Sequence, residues 1–539
     1  MDTDFVVVGA GSAGCVLANR LSADGRFNVV LVEAGPRDRN PWIHLPIGYG
    51  KTMWDKRVNW GFHTEPDPNM AGRKIYWPRG KVLGGSSSIN GLIAIRGQPE
   101  DYDSWEQGGN PGWGWSSVLP YFIKIENNPD QAGSQLHGQH GPLRVSGIGR
   151  PHELMEAVIA AAGKLGVPRT TDFNGPSQEG VGYYQITAHN GLRVSAAKAY
   201  LKPARGRPNL TIVVDAHATG IVWKDRRAAG IRYRKNGAER VIAARAGVVL
   251  CAGALQSPQL LMLSGIGPAA ELKPNGIPVL IDRPAVGANL QDHLQIRAIY
   301  KCSKPITTND QLNSLFGRIG IAAEWFFRRS GPLAVGINQG GLFTKVMPGS
   351  RTPDIQFHIA TLSADMAGGN VHPFSGFTLS VCALRPTSRG SITLASADPL
   401  AAPRFHPNYL DTAADRDCVT RALGFVRKLA GTEPLKGYVA EEVLPGPGAR
   451  TDGDLLDFAR KYGATIFHPS GTCRMGADAD AVVDPRLRVR GAERLWVADC
   501  SIMPTLVSGN TNLPTIMIGE KASDMILADV ASGSAAAPR

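Results

Sequence analysis

Three apolar patterns organise the chain. Phe5-Val6-Val7-Val8 is a short β-branched run of the kind found in a strand buried on both faces. It leads into Gly9-Ala10-Gly11-Ser12-Ala13-Gly14, and Cys15 to Leu21 then repeats apolar positions at helical spacing. Phe27 to Val32 reads as a second strand. Later, Ile355 to Ile359 and Phe377 to Leu384 are alternating or apolar runs, and Gly390 to Leu394 follows a turn at Pro386 to Arg389. These suit an antiparallel sheet. Arg494 to Asp499 reads as a strand ending in an acid, with a helix from near Leu513. The third pattern is the segment Leu312 to Arg329, with apolar groups at Leu312, Leu315, Phe316, Ile319, Ala323, Phe326 and Phe327 and a terminal Arg328-Arg329. The preferred reading is a helix packing its apolar face on the rest of the fold. The alternative is an amphipathic helix at a membrane, where a quinone is at hand.

The first pattern carries chemistry. Gly9 permits a tight turn, Gly11 lets backbone approach a pyrophosphate, and Gly14 lets the helix pack on the strand. The free N–H groups of the helix start then face the phosphates. Glu33 follows the third glycine by 19 residues, where a carboxylate accepts ribose hydroxyls and disfavours a 2′-phosphate. A dinucleotide site is expected, and the motif alone does not choose FAD over NAD. At 539 residues the chain is too long for one compact core, so two domains are expected. The net charge of +12 could draw anionic partners or a membrane surface, yet no basic block or nucleic-acid motif accompanies it. Nucleic-acid binding is not expected. Seven cysteines with no C-x-x-C disfavour zinc, a disulfide framework and disulfide-reductase chemistry. With no leader and no long apolar run, a cytoplasmic location is expected, with contact at the inner membrane kept open.

Further motifs appear in order. Pro78 to Gly91 reads PRGKVLGGSSSING, a loop of small residues able to press backbone against a flat ring or a phosphate. Gly253 to Pro258, Val286 to His293, His468-Pro469-Ser470-Gly471-Thr472 and Asn510-Thr511-Asn512 follow. Together these resemble the glucose-methanol-choline (GMC) oxidoreductase family over nearly the whole chain. The resemblance implies an α/β fold, with a Rossmann-like FAD domain from discontinuous segments (1–155, 190–300 and 465–539). A substrate domain on an antiparallel sheet (156–189 and 301–464) would roof it. FAD would be held by Gly9, Gly11, Ser12, Ala13 and Gly14, with Glu33 and Ala34. The small-residue loop would add Arg79, Leu83, Gly84, Gly85, Ser86, Asn90 and Gly91. Ala218, Ala252 and Gly253 would follow, then Ala498, Asp499, Asn510 and Thr511. Ile89 stands where some family members attach FAD through histidine, so the cofactor is expected to be non-covalent.

Alcohol oxidation removes a hydroxyl proton and a carbon-bound hydride. The resemblance assigns His468 as base and, 44 residues on, Asn512 as the amide that orients the alkoxide. Ile466 and Phe467 would flank the base in the substrate pocket, while His293 is expected only to shape the domain interface. The implied activity is oxidation of an aliphatic or aromatic primary alcohol, with O2, a quinone or a dye as acceptor. Choline oxidation and a non-redox hydroxynitrile-lyase activity are the alternatives.

Overall fold

The computed structural model describes residues 3–366 and 368–532. Phe5–Val8 is the centre of a five-stranded sheet, between Val29–Val32 and Gly247–Leu250, with Leu210–Val213 and Leu495–Val497 at its edges. All its pairings are parallel. Parallel strands need long crossovers that cover both faces, which is why this run carries no polar alternation. The helix Ser12–Leu21 leaves the first strand through Gly9, whose φ is +97°. A Cβ on Gly14 would lie 1.8 Å from the Gly9 carbonyl oxygen, so glycine is required at both places. This helix packs on the last one, Asn512–Ala531, where Arg20 reaches the buried Glu520 at 2.6 Å.

The second sheet is antiparallel. Its main path orders Val439–Leu444, Leu294–Cys302, Gly376–Ala383, Ile355–Ala360, Asn338–Thr344 and Gly180–Tyr183, and Ala464–Thr465 pairs beside Leu294–Cys302. The two apolar runs expected in an antiparallel sheet are its central strands. The third is not in it: Ser391–Thr393 pairs with Arg404–His406 as a separate hairpin. The registers Arg297↔Ser380 and His358↔Ser380 sort the side chains onto two faces. Ile296, Ala298, Leu379, Val381, Phe357 and Ile359 share the apolar face, and Phe357 meets Phe425 of the helix Ala413–Ala430. Gln295, Arg297, Ser380, Gln356 and His358 share the other.

The segment after residue 312 is a helix, Leu315–Arg328, turned opposite to the preferred expectation. Ile321 is its buried residue, Trp325 Nε1 donates to the Gly191 carbonyl at 2.9 Å, and Ser330 Oγ donates to Glu324 at 3.0 Å. The apolar groups point outward, with Phe316 85% and Phe327 80% exposed alongside exposed Leu315, Ile319 and Phe326. Periodicity defines an apolar arc but not which side of the helix meets the protein. Anchoring by Trp325 and Glu324 sets that here.

Candidate active site

One large cavity lies between the parallel sheet and the polar face of the antiparallel one. At its first end are Gly9, Gly11, Ser12, Ala13, Glu33, Ala34 and Ala218. The helix Ser12–Leu21 has no side-chain cap, and a Cβ built on Gly11 would have only the Cys251 carbonyl within 4 Å, at 3.9 Å. Open backbone at a helix start is what a pyrophosphate needs. Glu33 accepts from the Ala10 and Gly35 N–H groups at 2.9 and 2.8 Å, and burial pushes its carboxyl up to about 7. Each carboxylate oxygen keeps a lone pair for a ribose hydroxyl.

The middle of the cavity is lined by Arg79, Gly85, Ser86, Ile89, Asn90 and Gly91, and opposite them by Ala252, Gly253, Asp499, Asn510 and Thr511. Asp499 accepts from Gly253 N–H (2.8 Å), Ser257 Oγ (2.6 Å) and Ser501 N–H (2.8 Å), so it caps one turn and pins another beside the cavity. The residues fit a dinucleotide joined to a flat ring: acid, helix start and small-residue loop follow one another along one void.

Four expected cofactor residues do not line the cavity. Gly14 is consumed by helix packing against Gly9. Leu83 is fully buried, its N–H donating to Pro36 and its carbonyl accepting from Ser88. Gly84 supplies a left-handed turn (φ +89°) and donates to the Ala10 carbonyl, and Ala498 is buried with its N–H on Leu250. They shape the cradle from behind.

At the far end stand Ile466, Phe467 and His468, the first two lining the cavity beside the third. Phe467 holds φ +71°, a region costly for a side-chain-bearing residue, and Arg79 Nη2 donates to its carbonyl at 2.6 Å. His468 N–H donates to Asp292 Oδ1 at 2.7 Å. Burial raises Asp292 to about 6, and Thr465, Tyr409 and Arg79 oppose the rise.

The His468 ring is oriented by a relay. His293 Nε2 lies 3.0 Å from the Leu384 carbonyl, which can only accept, so Nε2 carries the proton. In a neutral imidazole His293 Nδ1 is then an acceptor, and it lies 3.0 Å from His468 Nδ1. His468 therefore donates from Nδ1 and leaves Nε2 unprotonated. His293, expected only to shape an interface, fixes the tautomer of His468. Burial holds all three histidines here below the ordinary value: His293 to about 4, His358 to about 3, and His468 well below 6.5, where the Arg79 charge adds to burial.

His468 Nε2 faces Asn510 Nδ2 at 3.3 Å. Asn510 Oδ1 accepts from Gln356 Nε2 at 3.1 Å, which aims the amide N–H groups toward His468. The expected partner, Asn512, is placed elsewhere: its Oδ1 accepts from Ser12 Oγ at 2.8 Å, beside the glycine turn. Two residues along a chain entering a helix separate the two amides. Tyr49, Met53, Gln295, Arg297, Asn338 and His358 also line the cavity and were not singled out in the sequence. The alternation Leu294-Gln295-Ile296-Arg297-Ala298 was the available signal for two of them.

Comparison with known proteins decides the family. The GMC oxidoreductase N-terminal profile matches residues 3–295 and the C-terminal profile residues 386–519. The chain belongs to the GMC oxidoreductase family. This GMC oxidoreductase is 43% identical to alcohol dehydrogenase [acceptor] of Pseudomonas putida, over 98% of this chain and 96% of that one. It is 42% identical to human mitochondrial choline dehydrogenase, over 97% of this chain and 89% of the other. Among solved structures it resembles pyridoxine 4-oxidase from Mesorbium loti, with a TM-score of 0.88, 32% identity, and coverage of 97% of this chain and 99% of that one. It is an FAD-dependent oxidoreductase acting on CH–OH donors. No helix among the described residues is long and apolar enough to cross a membrane.

Proposed function

We propose that this GMC oxidoreductase oxidises a primary alcohol to the aldehyde with His468 as base and Asn510, in place of Asn512, as the amide that holds the substrate oxygen. The observation that carries the reading is the relay Leu384–His293–His468, which leaves Nε2 free in the cavity beside an oriented amide. Bound FAD supplies the hydride acceptor. The alcohol hydroxyl donates to His468 Nε2, and its proton passes there as the C–H bond is cleaved. The imidazolium keeps its Nδ1–H on His293, and Asn510 Nδ2 donates to the oxygen as negative charge grows. Ile466, Phe467 and Met53 exclude water from that point. Ile89 lines the middle of the cavity and offers no nucleophile, which supports dissociable FAD. The flavin and roof portions divide near residues 155, 190, 300 and 465. The strand Leu294–Cys302 crosses the third of these positions and joins the two.

Anaerobic titration of the yellow protein with aliphatic, benzylic and choline substrates tests the reaction. Bleaching by an alcohol, with the flavin released on acid precipitation, is expected. Bound flavin that no alcohol bleaches would favour the lyase alternative.

The outward-facing helix supports peripheral contact with an anionic membrane, where a quinone acceptor is available. Arg318, Arg328 and Arg329 flank its apolar arc, and its single acid, Glu324, is turned inward toward Ser330 and Arg150. A second copy would bring like charges together, whereas lipid phosphates complement them. Co-sedimentation with phosphatidylcholine vesicles containing phosphatidylglycerol is expected, and weaker binding to phosphatidylcholine alone. F316S/F327S should lower the partition coefficient at least about tenfold, from the loss of two buried rings. A dimer abolished by the same change, with no vesicle binding, would assign the face to a second copy.

A further inference from the structure

We propose that Arg297 recognises an anionic group on the substrate, so that the alcohol oxidised here carries a carboxylate or comparable anion. This rests on the alcohol-oxidising reading above and names the substrate class of that same site. Arg297 lies on the polar face of the antiparallel sheet, in register with Ser380 and, one strand further, His358. It lines the cavity that also holds His468 and Asn510.

What sets Arg297 apart is its lack of partners. Arg96 pairs with Glu126, and Arg193 donates to the Ile43 and Ser87 carbonyls and to Asn90 Oδ1. Arg79 donates to the Pro78 and Phe467 carbonyls. Among the described residues, the Arg297 guanidinium has no hydrogen bond and no ion pair. The titratable group beside it is the Tyr49 hydroxyl, which burial keeps neutral. Among the described residues, the acids that line the cavity are Glu33 and Asp499. Both are tied to backbone N–H groups of the cofactor cradle, at Ala10 and Gly35 and at Gly253 and Ser501.

A guanidinium set among low-dielectric walls without a counter-charge is unfavourable, and an arriving carboxylate relieves this with two parallel charge-assisted hydrogen bonds. Arginine presents the planar fork that such a group matches. Tyr49, Met53 and Phe467 give the intervening body of the substrate an apolar wall. The same charge opposes choline. A quaternary ammonium needs aromatic faces and a carboxylate, and here it would meet a fixed cation with no free acid.

The test compares charged and neutral partners of equal size on the holoenzyme. Hexanoate should raise the melting temperature and perturb the flavin absorbance at concentrations where hexanamide does neither. An ω-hydroxy acid should show kcat/KM about 10- to 100-fold above its methyl ester, the range for a charge-assisted hydrogen bond, and the difference should lie in KM. In Arg297→Gln the acid-to-ester ratio should collapse toward unity, and in Arg297→Lys it should return in part. Equal binding of hexanoate and hexanamide by the unaltered enzyme, or a ratio unmoved by R297Q, overturns the proposal. Oxidation of neutral alcohols with no preference for the acid would leave the alcohol reading standing and remove this one. Preferential hexanoate binding without oxidation of any alcohol would do the reverse.

Discussion

His468→Ala should lower kcat by roughly 10²- to 10⁴-fold while the protein stays yellow, the range for losing a general base. The flavin is retained because the cradle rests on Gly11, Glu33, Ser86 and Asp499, none of which His468 supports. Single-turnover reduction of the flavin by excess alcohol, normalised to flavin content, reads the step directly. Turnover near that of the unaltered enzyme would remove His468 from the mechanism. The pH profile of the unaltered enzyme carries the second half of this result. A base acts in its neutral form, and burial with neighbouring positive charge holds His468 well below the ordinary histidine value of 6.5. The acid limb of kcat/KM should therefore fall below that value. Activity should be sustained as pH drops through the usual histidine range, and be lost only when Nε2 is protonated. A limb at or above 6.5 would show that the folded site does not hold the imidazole neutral.

The second large effect separates the two asparagines. Asn510→Ala should cost roughly 10²- to 10³-fold in the reductive step, the loss expected when one donor to a developing oxyanion is removed. Asn512→Ala should leave that step within about tenfold and weaken flavin retention, because it deletes a hydrogen bond to Ser12 at the glycine turn. Flavin content against rate constant gives a two-way readout. If Asn512→Ala is the slow variant and Asn510→Ala is not, the assignment of the amide reverts to position 512.

These two residues mark the limit of what the sequence discloses. The nucleotide turn was legible because everything it needs is local: a β-branched strand, three glycines, a helix and an acid within the first 33 residues. His468 was legible through its motif. Choosing between Asn510 and Asn512 by spacing fails because they lie two residues apart at the entry to one helix, and a contact from Gln356, across the fold, decides which amide meets the imidazole. His293 was undervalued for the same reason: its role exists only through a side chain 175 positions away. The helix Leu315–Arg328 was legible as amphipathic and misread in its facing, since a hydrophobic arc is equally compatible with core and with lipid. Arg297 was readable only as one polar position in an alternating strand. That its guanidinium has no partner among the described residues is a property of the surrounding space.

The two-faced antiparallel sheet has a consequence for descent and for engineering. Its apolar face secures the roof to the helices behind it, while its cavity face presents Gln295, Arg297, Gln356 and His358 from two strands. Side chains on that face can be exchanged without disturbing either the hydrophobic layer behind or the glycine turns below. Substrate choice can thus be redrawn on this sheet face while the glycine turn and its acid are kept. A library aimed at new alcohols belongs on the cavity face of those strands, with Gln356 left in place because it aims Asn510.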